Sequence, residues 1–154
     1  ISLRPQFDYI VVDTTAAFSE LNLAVMDQST LITFVGIVDF IPTIKNMKIG
    51  YDTMRSIGYE KDRIRFILNR SDSKTSISPE DVEQLLEERF YHVLPNNFSA
   101  AMGSIDCGLP LVLDREPTAL GRSLQELVTK YTTGTAVATG GHKSVKSWVR
   151  RLLK

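Results

Sequence analysis

The chain has a single cysteine, Cys107, and a single tryptophan, Trp148, among its 154 residues. One thiol excludes an internal disulfide and makes a reducing cytoplasm the simplest compartment. A lone cysteine on the apolar side of a helix is expected in the core. Neither His92 nor His142 has a motif linking it to Cys107, so no thiol nucleophile is expected. No apolar run approaches the ~18 residues of a membrane span. The opening Ile1-Ser2-Leu3-Arg4-Pro5 has neither the basic stretch nor the apolar segment of a signal peptide. With no initiator Met, a fragment or a processed product is expected. No Gly-Lys dipeptide occurs anywhere, so the phosphate-cradling motif that ends in Gly-Lys-Ser/Thr is missing.

Net charge is also lacking, but its zero sum hides an asymmetry. Residues 1–142 carry 13 basic and 18 acidic side chains. Lys143, Lys146, Arg150, Arg151 and Lys154 then add five cations, and no acid follows Glu126. An acidic body with a basic tail points to an anionic surface met by the tail alone. It argues against a body that binds nucleic acid over a broad face. With 43% hydrophobic and 23% charged residues, the chain has the composition of one domain with a stable core.

Strand-like and helix-like segments alternate. Asp8 to Asp13 (DYIVVD) is an apolar, β-branched run expected to be a buried parallel strand, and a short helix follows around Glu20 to Asp27. Ser29 to Val35 and Arg63 to Asn69 read as two more strands. Between them Ile44, Met47, Tyr51, Met54 and Ile57 share one helical face that stops at Gly58. Ser78-Pro79-Glu80-Asp81 supplies a cap, a proline and acids for a helix expected to reach about Arg89. Tyr91 to Leu94 is a short strand, Asn97 to Cys107 a helix ended by Gly108, and Pro117 to Tyr131 the last helix of the body. Ile10–Val12, Leu31–Val35 and Ile64–Leu68 are expected as neighbouring buried strands. The fold class is α/β, a doubly wound and mostly parallel sheet with helices on both faces. The body is expected over residues 1–131, a linker of small residues over 132–142, and a basic amphipathic helix over 143–154.

An apolar strand ending in Asp13 at the C-terminal edge of a parallel sheet can hold Mg²⁺, directly or through water, beside a nucleotide. A buried strand ending at a turn has the same look. A receiver domain also puts an Asp at a strand end, but needs an acidic pair after an earlier strand, and nothing precedes this one.

The order FDYIVVDTT, LITFV, DFIPTIKN, RIRFILNRSDS, SPEDVEQLL, VLPNN, GLPLVL resembles the MinD/ParA superfamily of deviant Walker A ATPases over roughly residues 7–131. The spacing and the NRSDS segment look most like its CpaE/TadZ pilus-assembly branch. The resemblance implies a P-loop NTPase-like fold that dimerises around ATP and positions cell-envelope or chromosomal machinery. It matches Asp13 to the Walker-B aspartate, a Mg²⁺ position, and Thr14 and Thr15 to the switch segment, where the family often has proline. It matches Asn69 and Arg70 to the strand end that meets adenine, Asn offering one donor and one acceptor edge. Pro95, Asn96 and Asn97 match the loop flanking the base. Asn is also a common turn residue at such a strand end.

The family's Gly-rich loop is the missing piece. Thr139-Gly140-Gly141-His142-Lys143-Ser144 is a decoy, with His142 between Gly and Lys and no strand before it. ATP and Mg²⁺ therefore require an N-terminal half that this chain lacks. No catalytic residue is expected here, and no hydrolysis by the chain alone.

In the tail, Val145, Trp148, Val149, Leu152 and Leu153 recur at helical spacing, with Lys146, Arg150 and Arg151 among the cations around them. Such a helix suits an anionic bilayer surface and resembles the membrane-targeting helix of MinD. It equally suits docking on the body or in a partner's groove. The linker and the one-sign charge favour the membrane. The leading expectation is a polar-localisation or pilus- and secretion-assembly ATPase. As a whole protein it would be homodimeric, cytoplasmic and peripheral to the inner membrane. Its rivals are a non-catalytic scaffold of the same fold and a DNA-partition ATPase, which the acidic body disfavours.

Overall fold

The computed structural model describes residues 3–37, 41–72 and 77–134. Eight elements carry the fold: α1 (Glu20–Gln28), β1 (Ile32–Gly36), α2 (Ile41–Ser56), β2 (Ile64–Leu68), α3 (Pro79–Leu86), β3 (His92–Val93), α4 (Phe98–Cys107) and α5 (Ala119–Gly134). The strands form one parallel sheet in the order β1-β2-β3. Ile32 pairs with Ile64 and Gly36 with Leu68, while Ile67 pairs with His92.

β2 (IRFIL) is flanked on both edges and covered on both faces, which is why its sequence is nearly all apolar. On one face Ile64, Phe66 and Leu68 join Ile32 with Ile44, Met47, Tyr51 and Met54 of α2 and Val82 and Leu86 of α3. On the other face Ile67 meets Leu94, Leu120, Leu124 and Leu127. The sheet is thus wound on both sides, as the alternation implies.

Local signals set most boundaries. The Ser78 hydroxyl accepts from the Asp81 N–H at 3.1 Å and the Asp81 carboxylate from the Ser78 N–H at 3.0 Å, a closed capping box. Those bonds hold the Asp81 carboxyl below its ordinary range. α3 stops at Leu86, short of Arg89, because Glu87 turns into the left-handed region at φ 57°. α4 ends where Gly108 takes φ 62°. The stripe of α2 is buried from Ile44 to Met54, but Ile57 lies past the helix end and is exposed.

Four expectations are corrected. The run Asp8–Asp13 forms no strand, and Ile10, Val11 and Val12 are 45%, 87% and 53% exposed. It is tethered at both ends. Arg4 donates to the Gln28 carbonyl at the end of α1, and buried Asn22 near its start donates to the Thr15 and Ala17 carbonyls at 3.0 and 2.7 Å. The run therefore lies alongside α1 and antiparallel to it. Among the described residues it pairs with no strand, and β1 has a strand partner on one edge only. A parallel strand has no stability without a ladder, so the residues stay extended and open. The second strand starts at Ile32, after a turn in which Ser29 caps α1 by donating to the Val25 carbonyl. Cys107 is exposed at the end of α4 and not in the core. Finally, α5 continues to Gly134, three residues past its expected end at Tyr131. Thr132 and Thr133 donate back to the Thr129 carbonyl and prolong the last turn. The remainder of the linker and the tail, residues 135–154, lie outside the described residues.

Candidate functional site

Open parallel α/β sheets bind ligands beyond the carboxyl ends of their strands. At that edge β2 and β3 send out neighbouring loops, Asn69–Asp72 and Leu94–Asn97. Three contacts tie them. The Leu94 N–H donates to the Leu68 carbonyl at 2.8 Å, the Ser71 N–H to the Leu94 carbonyl at 3.1 Å, and the Asn96 N–H to the Asp72 carboxylate. Asn69 also reaches β1, donating its N–H to the Gly36 carbonyl at 2.8 Å. All three strands thus fix the backbone of Asn69.

The structure brings Asn69, Arg70, Pro95, Asn96 and Asn97 to one edge. Asn69 is half-buried, and its carboxamide makes no hydrogen bond among the described residues. Arg70 adopts φ 57°, a conformation unusual for a residue with a side chain, which folds the chain sharply after the strand. Asn97 serves the fold, because its side-chain oxygen caps α4 by accepting from the Ala100 N–H at 3.1 Å. That oxygen is therefore committed, whereas Asn96 stands exposed. Sequence reasoning missed Asp72 and Ser71. Their bracing role follows the turn chemistry of Asn-Arg-Ser-Asp, a signal legible only once the facing loop is known.

Asp13, Thr14 and Thr15 belong to the exposed extended segment. The Thr15 carbonyl and hydroxyl accept from the Asn22 amide at 3.0 and 3.1 Å, which anchors the segment. Asp13 makes no hydrogen bond or ion pair with the Asn69 edge among the described residues. No group of three or more His, Cys, Asp or Glu side chains there can hold a metal ion. Mg²⁺ at a nucleotide is held by one or two carboxylates together with the phosphates. Asp13 alone, with no Gly-rich cradle, does not meet that requirement. Among the described residues the edge thus offers amide groups and no cluster of metal ligands.

An open groove of about 1170 Å³ lies at the other end of β2, lined by Tyr51, Lys61, Arg65, Glu83 and Glu88 among others. Some of its groups pair with each other. Lys61 meets Glu88 at 2.8 Å, and Tyr51 donates to Glu88. Burial, then that bond, pushes the Tyr51 hydroxyl up to about 12. The groove is structural and is far from the strand ends that carry Asn69. Among the described residues no helix is long and apolar enough to cross a membrane.

No known family profile matches the chain, and no curated protein is similar to it. Among solved structures the chain is similar to a ParA family ATPase from Chlorobium tepidum TLS, with a TM-score of 0.69 over 77% of this chain at 19% identity. The match spans 48% of that structure's chain. The fold of this chain is therefore the ParA-like, P-loop NTPase-type α/β fold, present over about half the length of that neighbour.

Proposed function

We propose that this chain is the base-binding half of a MinD/ParA-type ATPase. The observation that carries the reading is the braced pair of loops at the carboxyl ends of β2 and β3. There Asn69 is fixed by three strands while its carboxamide keeps a donor and an acceptor for a purine edge. Two further features support it. Among the described residues β1 has a strand partner on one edge only, and the apolar run 8–13 is exposed and joins no ladder. Both are what a sheet looks like when a strand that completes it comes from polypeptide outside these residues. That polypeptide supplies the phosphate loop, brings ATP and Mg²⁺, and gives Asp13 the company a metal site needs. Alone, the chain hydrolyses no ATP.

The whole protein is read as a homodimeric, cytoplasmic positioning ATPase of the CpaE/TadZ kind that serves pilus or secretion assembly. It is held at the inner membrane's anionic surface by residues 143–154. Support for this finer reading is the motif order of the sequence and the basic amphipathic pattern of the tail. A non-catalytic scaffold of the same fold is the second reading, favoured by the lack of any Gly-Lys dipeptide in these residues.

The deciding experiment titrates ATP and GTP into the longest product of the gene, before and after Asn69→Ala. Loss of purine discrimination supports the base site, and an unchanged ATP-to-GTP ratio removes Asn69 from it. ATP turnover by that product separates the enzyme from the scaffold.

A further inference from the structure

Helix α4 turns its large apolar side chains outward. Phe98, Met102 and Ile105 recur at i, i+4 and i+7, and Leu109 follows at i+11 just past the cap, so the four align on one face. Phe98 and Ile105 are 71% and 70% exposed, Leu109 47% and Met102 39%. The half-buried positions Ala100, Ala101 and Ser104 lie on another side, where Ala101 packs against Ile67, Leu94 and Leu120. A continuous apolar stripe of this kind, rimmed by polar residues, marks a docking surface. The sequence that carries it is acidic. Between His92 and Arg115 there is no lysine or arginine, while Asp106 and Asp114 fall in the same stretch.

The chain holds a segment complementary to that face in both respects. Residues 143–154 carry the stripe Val145, Trp148, Val149, Leu152 and Leu153 together with cations and no acid. The segment is also within reach. The Gln125 amide donates to the Val112 carbonyl at 3.0 Å, so α5 touches the short turn Leu111–Leu113, and that turn also packs on α4. From Gln125 to Gly134 the helix advances about 14 Å. Residues 135–142 can span up to about 28 Å, more than enough to come back along α5 to that turn.

We propose that the outward face of α4 seats residues 143–154 of the same chain. The two apolar stripes face each other, and the tail's cations lie toward Asp106 and Asp114. The proposal goes beyond the nucleotide reading and does not depend on it.

Trp148 is the only tryptophan, so its emission and its quenching by acrylamide report on the tail alone. In the unmodified whole chain without lipid, emission is expected to be blue-shifted. Quenching should be several-fold weaker than in the Val149→Asp chain, whose tail stripe is broken. Ile105→Asp and Phe98→Ser change side chains already open to solvent. Each should move Trp148 to the spectrum of an exposed indole while far-UV circular dichroism and the unfolding midpoint stay unchanged. An exposed-indole spectrum in the unmodified chain overturns the proposal. So does a shielded Trp148 indifferent to both α4 substitutions, which puts the tail on another surface. Shielding that rises with protein concentration also overturns it, because the tail then sits on a second copy.

Discussion

The Lys130 ammonium lies 3.1 Å from Nδ1 of the buried His92 imidazole. On its other side the ring meets the Ser123 carbonyl and hydroxyl at 2.9 Å. The network assigns the proton to Nε2, so that Nδ1 accepts from Lys130. Burial, then the Lys130 charge, holds the imidazole below its ordinary 6.5, while the Ser123 bond and Glu126 pull the other way. This pair fastens α5 to β3. Because the folded His92 resists a proton that the unfolded chain accepts, its contribution is full above about 6.5 and is lost as pH falls through the depressed folded value. The thermal midpoint should therefore drop on acidification from pH 7.5 toward 5. His92→Gln, which keeps a donor and an acceptor, should flatten that part of the curve. An unaltered slope in the variant would assign the acid sensitivity to other groups.

Gly36 closes β1 directly under Met47. A Cβ there would sit 2.2 Å from the Met47 sulfur and 2.4 Å from its methyl. Met47 is only 3% exposed, so its flexible end has little room to yield. Gly36→Ala should cost about 1–3 kcal/mol in chemical denaturation through overpacking. Adding Met47→Val should recover part of the loss, a coupling that a double-mutant cycle detects. Additive costs would mean that the strain is in the backbone and not between these two side chains. Since the Gly36 carbonyl accepts from the Asn69 N–H, the same substitution should also loosen the candidate site.

The sequence carries the parts of this fold whose stability is local or periodic. The α2 stripe from Ile44 to Met54, the Ser78 capping box and the apolar run of β2 each declare themselves through spacing or a cap, and each is where the pattern places it. The run at residues 8–13 misleads for a physical reason. Apolar, β-branched composition states that a segment would make a good strand, but a strand exists only in its ladder, and the run joins none among the described residues. Cys107 misleads likewise, because α4 exposes an apolar face and being apolar there does not mean being buried. At the site, Asn69 and Arg70 are legible from the strand end. Asp72 is not, since its value comes from a loop more than twenty residues away.

Asn69 offers the sharpest test of the nucleotide reading. In the longest product of the gene, Asn69→Ala should weaken ATP by roughly 1–3 kcal/mol, the cost of leaving a buried partner unpaired. GTP should change less, because the substitution removes only a base contact. Thermal stability should hardly move, since the fold uses the Asn69 backbone N–H and the substitution retains it. Titration calorimetry with both nucleotides reads the difference. Equal losses would point to a general loosening of the edge.

We propose an anionic membrane as the tail's second destination, and the pattern of residues 143–154 sets the expected strength. Each Lys or Arg near an anionic leaflet contributes about 1 kcal/mol, so Lys143, Lys146, Arg150, Arg151 and Lys154 supply up to ~5. Partial burial of the Val145, Trp148, Val149, Leu152 and Leu153 stripe adds to this at roughly 25 cal/mol per Å². Ordering a short helix offsets part of it, because a segment of this length is marginal in water. Binding should therefore be reversible and stronger for a dimer with two tails than for one. Vesicles containing anionic lipid should carry the chain down on sedimentation, neutral vesicles should not, and high salt should release most of it as the charges are screened. Val149→Asp should abolish the binding and leave the body folded. If α4 holds the tail in solution, Ile105→Asp should increase vesicle binding, since the stripe no longer has to leave a seat before it reaches lipid. Equal recovery on neutral and anionic vesicles, or binding indifferent to salt, would rule out an electrostatic membrane contact.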